Sequence, residues 1–501
     1  MPHLGFVIDN RKCIGCHACT VACKSEHQVP LGVDRTWVKY VEKGMFPDSR
    51  RFFTVMRCNH CEDAPCVTIC PVTALYTRTD GAVDFNSDRC IGCKACLQAC
   101  PYDALYIDPE TSTAAKCNFC THRLEIGLEP SCVVVCPERA IVAGDLADPT
   151  SEISQLIARH SVQVRKPEKG TRPKLFYINA DEASLVPSQT RAGGPGMWSG
   201  VDDPARRALE LTTSGAGARR AYDVPARTPA WGWEVVGYTW TKSIATGSFL
   251  AALAARLFEA PAPYLYDALR LGVLAWLFLA LTGGLLVADL KQPRRFLYVL
   301  LRPQWKSWLV RGAYILTAYG ALLSLWILAE WSGARSVGDL LLWPGAMLAA
   351  LAAVYTAFLF AQAKGRDFWQ NPVLGVHLLA QALSAGGAVW LLICAFGRGE
   401  DVSPPAWFMA AGLVLSLVAI FTELATAPAT ADSHRALQWI IGRPMGRWFW
   451  IGGIGLGHIL PLVLLPIGGA AVDAIAALLA LGGLLIIEAL WVSAPQLIPL
   501  S

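Results

Sequence analysis

A chain of 501 residues with 54% hydrophobic content, 16% charged residues and a formal net charge of +4 has the bias of a membrane protein, and no nucleic-acid partner is expected. The bias is uneven. Almost all of it falls after about residue 240, so a charged, cysteine-rich first part precedes an apolar second part.

The first residues, MPHLGFVIDNRKCIGC, run almost directly into a metal-ligand pattern, with neither a twin-arginine stretch nor an apolar h-region, so no export signal is expected. Sixteen of the seventeen cysteines then fall into four quartets: Cys13, Cys16, Cys19, Cys23; Cys58, Cys61, Cys66, Cys70; Cys90, Cys93, Cys96, Cys100; and Cys117, Cys120, Cys132, Cys136. The first and third read Cys-x2-Cys-x2-Cys-x3-Cys, the bacterial ferredoxin run, in which three close cysteines wrap one iron–sulfur cluster and the fourth reaches its neighbour. The second and fourth stretch the gap after the second cysteine but keep the Cys-x3-Cys-Pro ending. Zinc prefers separated pairs. Disulfide frameworks belong to short secreted chains.

The first and third quartets superimpose on one shift and share Ile-Gly between their first two cysteines, which marks an internal duplication. Glycine there suits backbone wrapped closely round a cluster. Proline after Cys70, Cys100 and Cys136 ends any onward helix. His17 and His60 sit between ligands, and Lys12, Arg57, Arg89, Lys94 and Lys116 stand where positive charge raises a cluster's potential. A solvated surface charge is the plain alternative for each.

Residues 181–235 form a bridge rich in Gly, Pro, Ser and Arg, with one short helix expected from Asp202, Asp203 and Pro204. Its aromatics, Trp198, Tyr222, Trp231 and Trp233, point to a packed extended segment more than to a floppy linker. The GGPG at Gly193–Gly196 has neither a preceding strand nor a following helix, so it is no nucleotide loop. Neither a nucleotide site nor a pterin site is evident.

Eight apolar stretches follow, at 244–260, 268–288, 309–330, 340–362, 373–396, 406–427, 451–470 and 472–492. Most reach the roughly 20 residues that cross a bilayer as helix; seven or nine spans stay open. Cys394, in the fifth stretch, is expected as a small buried hydrophobe. Loops on the side where the first helix starts carry Lys291, Arg294, Arg295, Arg302, Lys306, Arg311, Lys364, Arg366, Arg435, Arg443 and Arg447, against Arg256, Arg270, Arg335 and Arg398 opposite. Positive residues stay in the cytoplasm, so the cluster domain is expected to face the cytoplasm from a multi-pass inner-membrane anchor.

The four quartets in this order, with the long gap between Cys120 and Cys132, resemble the four-cluster electron-transfer subunits of the molybdopterin oxidoreductase superfamily, of dimethyl sulfoxide and polysulfide reductase type. The apolar part resembles the NrfD-like membrane anchors of the same complexes, best in ADLKQPRRFLYVLLRPQWKSWLVRGAY. The fusion of the two on one polypeptide departs from the family's usual pattern. The resemblance implies an α+β double ferredoxin-like domain of two dicluster modules (1–180), an extended Gly/Pro-rich linker (181–240) and an all-α membrane domain of about eight helices (241–501). It also implies four 4Fe-4S clusters, held by Cys13, Cys16, Cys19 and Cys136; by Cys117, Cys120, Cys132 and Cys23; by Cys58, Cys61, Cys66 and Cys100; and by Cys90, Cys93, Cys96 and Cys70. In the family the first faces a catalytic subunit and the fourth faces the membrane.

With no catalytic cofactor site of its own, the chain is expected to pass electrons between a separate molybdopterin-containing subunit and a quinone, menaquinone or ubiquinone, in the lipid. A higher oligomer of the complex is left open. Ionisable residues inside spans are functional suspects: Lys242, Asp289, Arg295, His377 and His458 are the quinone-site candidates, with Glu423 and Glu488 also in the spans. Interhelical hydrogen bonds or snorkelling charges are the bland alternative. Trp305, Trp308 and Trp369 are expected as interface anchors. Donor oxidation of sulfite or formate type with quinone reduction is the favoured direction. The alternatives are a quinol-oxidising reductase of dimethyl sulfoxide or polysulfide type, a proton-translocating module of a hydrogenase or alternative quinol-oxidising complex, and an inert anchor.

Overall fold

The computed structural model describes all residues except 1, 45–46, 193–216, 225–228, 258–262, 398–401 and 427–429. The helix expected at Asp202, Asp203 and Pro204, the Gly193–Gly196 turn, Trp198 and Arg398 lie outside the described residues. The chain forms two compact units, Met1–Thr228 with Pro499–Ser501, and Pro229–Ile498.

In the first unit a run buried on both faces, Phe6, Val7 and Ile8, makes Leu4–Asp9 the inner strand of a four-stranded sheet. It pairs parallel with Leu175–Ile178 and antiparallel with Ile141–Asp145, with Val162–Gln163 at the edge. Helix Glu152–Arg159 covers this sheet through Ile153 and is capped by Ser151, whose hydroxyl accepts from the Ser154 N–H. A second sheet holds the hairpin Thr36–Lys43 and Arg50–Arg57, then Ala218–Tyr222 and Arg191–Ala192. Part of the stretch read as linker thus lies in a sheet, with Tyr222 against Tyr40.

The backbone repeat that shows joins the second and third quartets, not the first and third that match in sequence; the first runs into a longer helix, Ala18–His27, with no Cys-Pro. Short helices Pro65–Ile69 and Ala95–Ala99 each end at a Cys-Pro and lead into a small hairpin, Leu75–Thr77 with Val83–Phe85 and Leu105–Ile107 with Ala114–Lys116. The residue two after the first cysteine is left-handed in all four quartets: Gly15 and Gly92, but also His60 and Phe119. At Gly15, φ is +73°, and an added Cβ would meet the Phe53 ring 2.5 Å away. Packing against protein requires that glycine.

The second unit is a helical bundle: α1 Trp233–Leu257, α2 Pro263–Ala288, α3 Trp308–Trp331, α4 Arg335–Gln362, α5 Leu374–Phe396, α6 Ser403–Ala425, α7 Trp448–Ile459 in wide π turns continued by Leu460–Leu464, and α8 Ala470–Ser493. Seven of these, all but α1, are long and apolar enough to cross a membrane. α1 has the length, but Thr239, Thr241, Lys242, Ser243, Thr246 and Ser248 lower its hydropathy, and all six are buried. Its hydroxyls bond back to carbonyls a turn earlier, Thr239 to Val235, Ser243 to Thr239 and Thr246 to Lys242. α1 is a core helix wrapped by the others. It meets α5 backbone to backbone, where a Cβ on Gly247 would stand 1.8 Å from the Ala382 carbonyl oxygen. Gly457 and Gly483 join α7 to α8 in the same way. Exposed Leu277, Leu281, Leu325, Leu328, Met347 and Val418 give the bundle an apolar outer surface.

Candidate functional sites

The sixteen cysteines of the quartets are free thiols, mostly buried, with Cys16 exposed. Electrostatic proximity sorts them. Cys13 lies near Cys16 and Cys136, and Cys19 near Cys13 and Cys136. Cys23 lies near Cys117, Cys120 and Cys132. Cys66 gathers Cys58, Cys61 and Cys100. Cys96 gathers Cys70, Cys90 and Cys93. Each group takes its last cysteine from a different quartet. The groups also meet in a line, through Cys19 with Cys132, Cys58 with Cys117, and Cys96 with Cys66.

Cavities lie within the two terminal groups. One, partly open to solvent, is lined by Cys13, Cys16, Cys19 and Cys136, and the other, also partly open, by Cys70, Cys90, Cys93 and Cys96. Among the described residues no three His, Cys, Asp or Glu side chains converge tightly enough to hold a single metal ion. Thiols spread around a cavity suit a cluster better than a zinc ion. Burial pushes the Cys100 and Cys120 thiols up to about 11, so these sulfurs become thiolates only when iron takes the proton's place. Buried polar atoms beside the ligands, Arg57 Nη1, Asn59 Nδ2 and His60 Nε2, have no protein partner. Donors of this kind are what sulfide in a 4Fe-4S cluster accepts from, so the residues fit the group.

Backbone amides aim at the sulfurs. The Ala74 and Ala140 N–H groups donate to Cys70 and Cys136 Sγ, each at 3.2 Å, and the Ala104 N–H reaches Cys100. All three follow a Cys-Pro-x-x-Ala string, a repeat that the reading of proline alone passed over. The charges differ from expectation. Arg57 and Lys116 are 0% exposed and Lys94 is buried, so the solvated alternative fails for them, whereas Lys12 is exposed. The Arg57 Nη2 donates to Cys132 Sγ at 2.8 Å. His60 is buried with Nδ1 accepting from the Val83 N–H, and burial lowers its pKa. His27, not singled out from sequence, brings Nε2 within 3.1 Å of Cys120 Sγ.

In the helical unit, Lys242 is fully buried on α1 and does not snorkel. Its Nζ donates to the Ala353 carbonyl at 2.9 Å and to Thr356 Oγ1 at 2.7 Å on α4, 5.0 Å over the Tyr355 ring. Glu488 of α8 interacts electrostatically with Lys242 and with His377 of α5. His377 Nδ1 pairs with Glu423 Oε2 of α6 at 3.3 Å, its Nε2 meets Gln381 at 3.1 Å, and Trp491 Nε1 donates to the same Glu423 oxygen at 2.8 Å. His458 sits deeper, with Nε2 3.0 Å from Ser416 Oγ.

Lys242, Glu488, His377 and Glu423 lie near the α1 start, the α5 start and the α6 and α8 ends, one end of an antiparallel bundle. Asp289, just past α2, is 9% exposed and near Tyr238; Arg295 is half-buried in the turn after it. Trp369 is no interface anchor: it is 1% exposed, stacked on Phe360 at 4.7 Å, with Nε1 donating to the Trp491 carbonyl. Thr356, Ser416 and Trp491 were missed, because their partners stand on other helices; Gln381 lies one turn along α5 from its partner His377, a spacing that could have found it.

Two family profiles described as 4Fe-4S dicluster domain match residues 50–146 and 12–75, and one described as Polysulphide reductase, NrfD matches residues 224–498. The chain is similar to a tetrathionate reductase subunit of Salmonella typhimurium, 45% identical over 200 residues, 39% of this chain and 80% of that protein. It is similar to a polysulfide reductase component of Wolinella succinogenes, 45% identical over 179 residues, 35% of this chain and 93% of that protein. It is also similar to a putative dimethyl sulfoxide reductase iron-sulfur subunit of Halobacterium salinarum, 36% identical over 260 residues, 46% of this chain and 97% of that protein.

Proposed function

This protein belongs to the polysulphide reductase NrfD family and carries iron–sulfur dicluster domains ahead of its multi-pass membrane part; on that premise we propose that it relays electrons through four 4Fe-4S clusters between a separate molybdopterin subunit and membrane quinone. The observation that carries this reading is the line of four thiol groups, each completed by a cysteine from another quartet. The ligand sets are those of the family resemblance, Cys13, Cys16, Cys19 and Cys136 at one end and Cys70, Cys90, Cys93 and Cys96 at the other. When bound, the clusters supply one-electron steps, and the protein holds them, shields them from water and aims amides at their sulfurs.

The exposed Cys16, with exposed Ile14 and Val21 near it in sequence, supports partner docking at the first cluster. Quinone is proposed to meet the buried cluster of Lys242, His377, Glu423 and Glu488, with Asp289, Arg295 and His458 at its margins. Two electrons and two protons turn a quinone into a quinol, so a site needs an apolar slot and groups that pass protons. The excess of cations on loops at the α1-start side supports a cytoplasmic cluster unit, and with it donor oxidation of sulfite or formate type. The names of the three relatives, all reductases, favour the opposite direction, from quinol to an oxidised substrate.

Purified complex tests the relay. Dithionite-reduced clusters should reoxidise with a quinone analogue in wild type and slowly in Asp289→Asn and Lys242→Ala. If both variants reoxidise at the wild-type rate, these residues are packing and the quinone site lies elsewhere. Protease protection in vesicles of both orientations tests the sidedness, and the co-purifying large subunit identifies the substrate.

A further inference from the structure

We propose that Arg57 and Lys116 form a cationic junction that raises the potentials of the two middle clusters, so that the wire holds two electrons at its centre. This rests on the four-cluster ligand sets just given. Each cation is the residue before the first cysteine of its quartet, and each is 0% exposed. Arg57 precedes Cys58 of the third cluster, yet its Nη2 donates to Cys132 Sγ of the second, and it interacts with Cys23 and Cys117 of the second as well. Lys116 precedes Cys117 of the second cluster, where Nζ donates to the Cys117 carbonyl at 2.8 Å and to the Val83 carbonyl. Its charge acts on Cys58 and Cys66 of the third. Each cation belongs by sequence to one middle cluster and acts on the other; the Arg57 charge also reaches Cys58 of the third cluster and Cys19 of the first.

Among the described residues neither cation is paired with a carboxylate. Arg57 is fixed by Thr36 Oγ1, 2.8 Å from Nη2, and by the Phe6 ring 4.1 Å below its guanidinium. A buried cation needs a counter-charge, and thiolate sulfur is the anion within reach. Reduction adds negative charge to a cluster, so a fixed cation stabilises the reduced form and raises the potential. It also offsets the repulsion between two adjacent reduced clusters. All four quartets carry a basic residue before their first cysteine, Lys12, Arg57, Arg89 and Lys116. Lys12 is exposed and Arg89 half-buried, so water screens them more than the inner pair; Lys94, beside the fourth cluster, is buried too but at 8% exposure keeps some contact with solvent, unlike Arg57 and Lys116. The stored count of two matches the two electrons a quinone exchanges.

The test is a potentiometric titration of the intact complex followed by electron paramagnetic resonance. In Arg57→Gln one midpoint should move negative, so that at a fixed poise its reduced-to-oxidised ratio falls about tenfold, roughly 59 mV for a one-electron couple. Lys116→Met should do the same, the double variant should lower two midpoints, and Lys12→Met should lower none comparably. Four unchanged midpoints in fully loaded Arg57→Gln and Lys116→Met overturn the proposal. If Arg57→Gln loses iron, Arg57→Lys is titrated instead: a smaller fall of one midpoint supports the junction and no fall overturns it. Fewer than four cluster signals in the unsubstituted protein would overturn the ligand sets instead.

Discussion

Arg57 and Lys116 in the cluster unit are buried cations set against thiols, whereas Lys242 in the membrane unit is a buried lysine bonded to the Ala353 carbonyl and Thr356, with Glu488 acting on it electrostatically. The guanidinium stays charged at any working pH, so it can bias an electron but cannot pass a proton. Lysine, glutamate and histidine can exchange protons when their surroundings shift them. On the proposed reading the two units divide the labour accordingly: fixed charge around the thiol groups steers electrons, and ionisable groups from α1, α5, α6 and α8 handle protons.

Iron removal should break the comparison most severely. The first unit buries its thiols around cavities, and a site absent from the unfolded chain makes metal binding part of the folding free energy. Chelation under oxidising conditions should abolish the cooperative melt of the cluster unit while the helical signal of α1–α8 persists by circular dichroism. Loss of both together would show that the units do not stand apart energetically.

Lys242→Ala comes next. It removes the donor to the Ala353 carbonyl and Thr356 Oγ1, a loss of about 1–3 kcal/mol for each buried acceptor left unmatched, and takes away the amine that acts on Glu488. The Lys242→Met, Glu488→Gln double variant should recover part of that stability in a detergent melt, yet not the quinone-linked turnover. Recovery of both would make the pair structural.

How far the sequence carried depends on the kind of signal. The quartets are local spacings, so an iron–sulfur unit was legible in them, whereas the crossing of ligand sets between quartets came only from the resemblance and stands as a proposal. Burial was not legible, because Lys12 and Lys116 look alike beside their cysteines until the fold covers one of them. α1 was drawn too short, since hydropathy marks lipid-facing helices and this one faces other helices. The His377–Glu423–Trp491 contacts join three helices, and no spacing along one chain announces them.

His377→Asn and Glu423→Gln should act on turnover more than on stability. General acid–base groups contribute about 10²–10⁴-fold when they move the proton themselves, and a relay one step removed contributes less. A fall of about tenfold in quinone-linked turnover with a changed pH profile, and normal dithionite reduction of the clusters, would place the pair on the proton route. An unchanged profile would leave it as an interhelical tie.

Ser151→Ala is the smallest effect and sharpens the contrast inside the cluster unit itself. The Ser151 hydroxyl accepts from the Ser154 N–H at 3.3 Å and donates to the Asp145 carbonyl at 2.7 Å, closing the start of helix Glu152–Arg159. Losing an N-cap costs about 1 kcal/mol. Because this helix packs through Ile153 on Val7, Val142 and Ile178 rather than on the thiols, the melt should shift down slightly while all four cluster midpoints stay in place. A moved midpoint would mean that the sheet under this helix, and not only the charge around the sulfurs, sets the potentials.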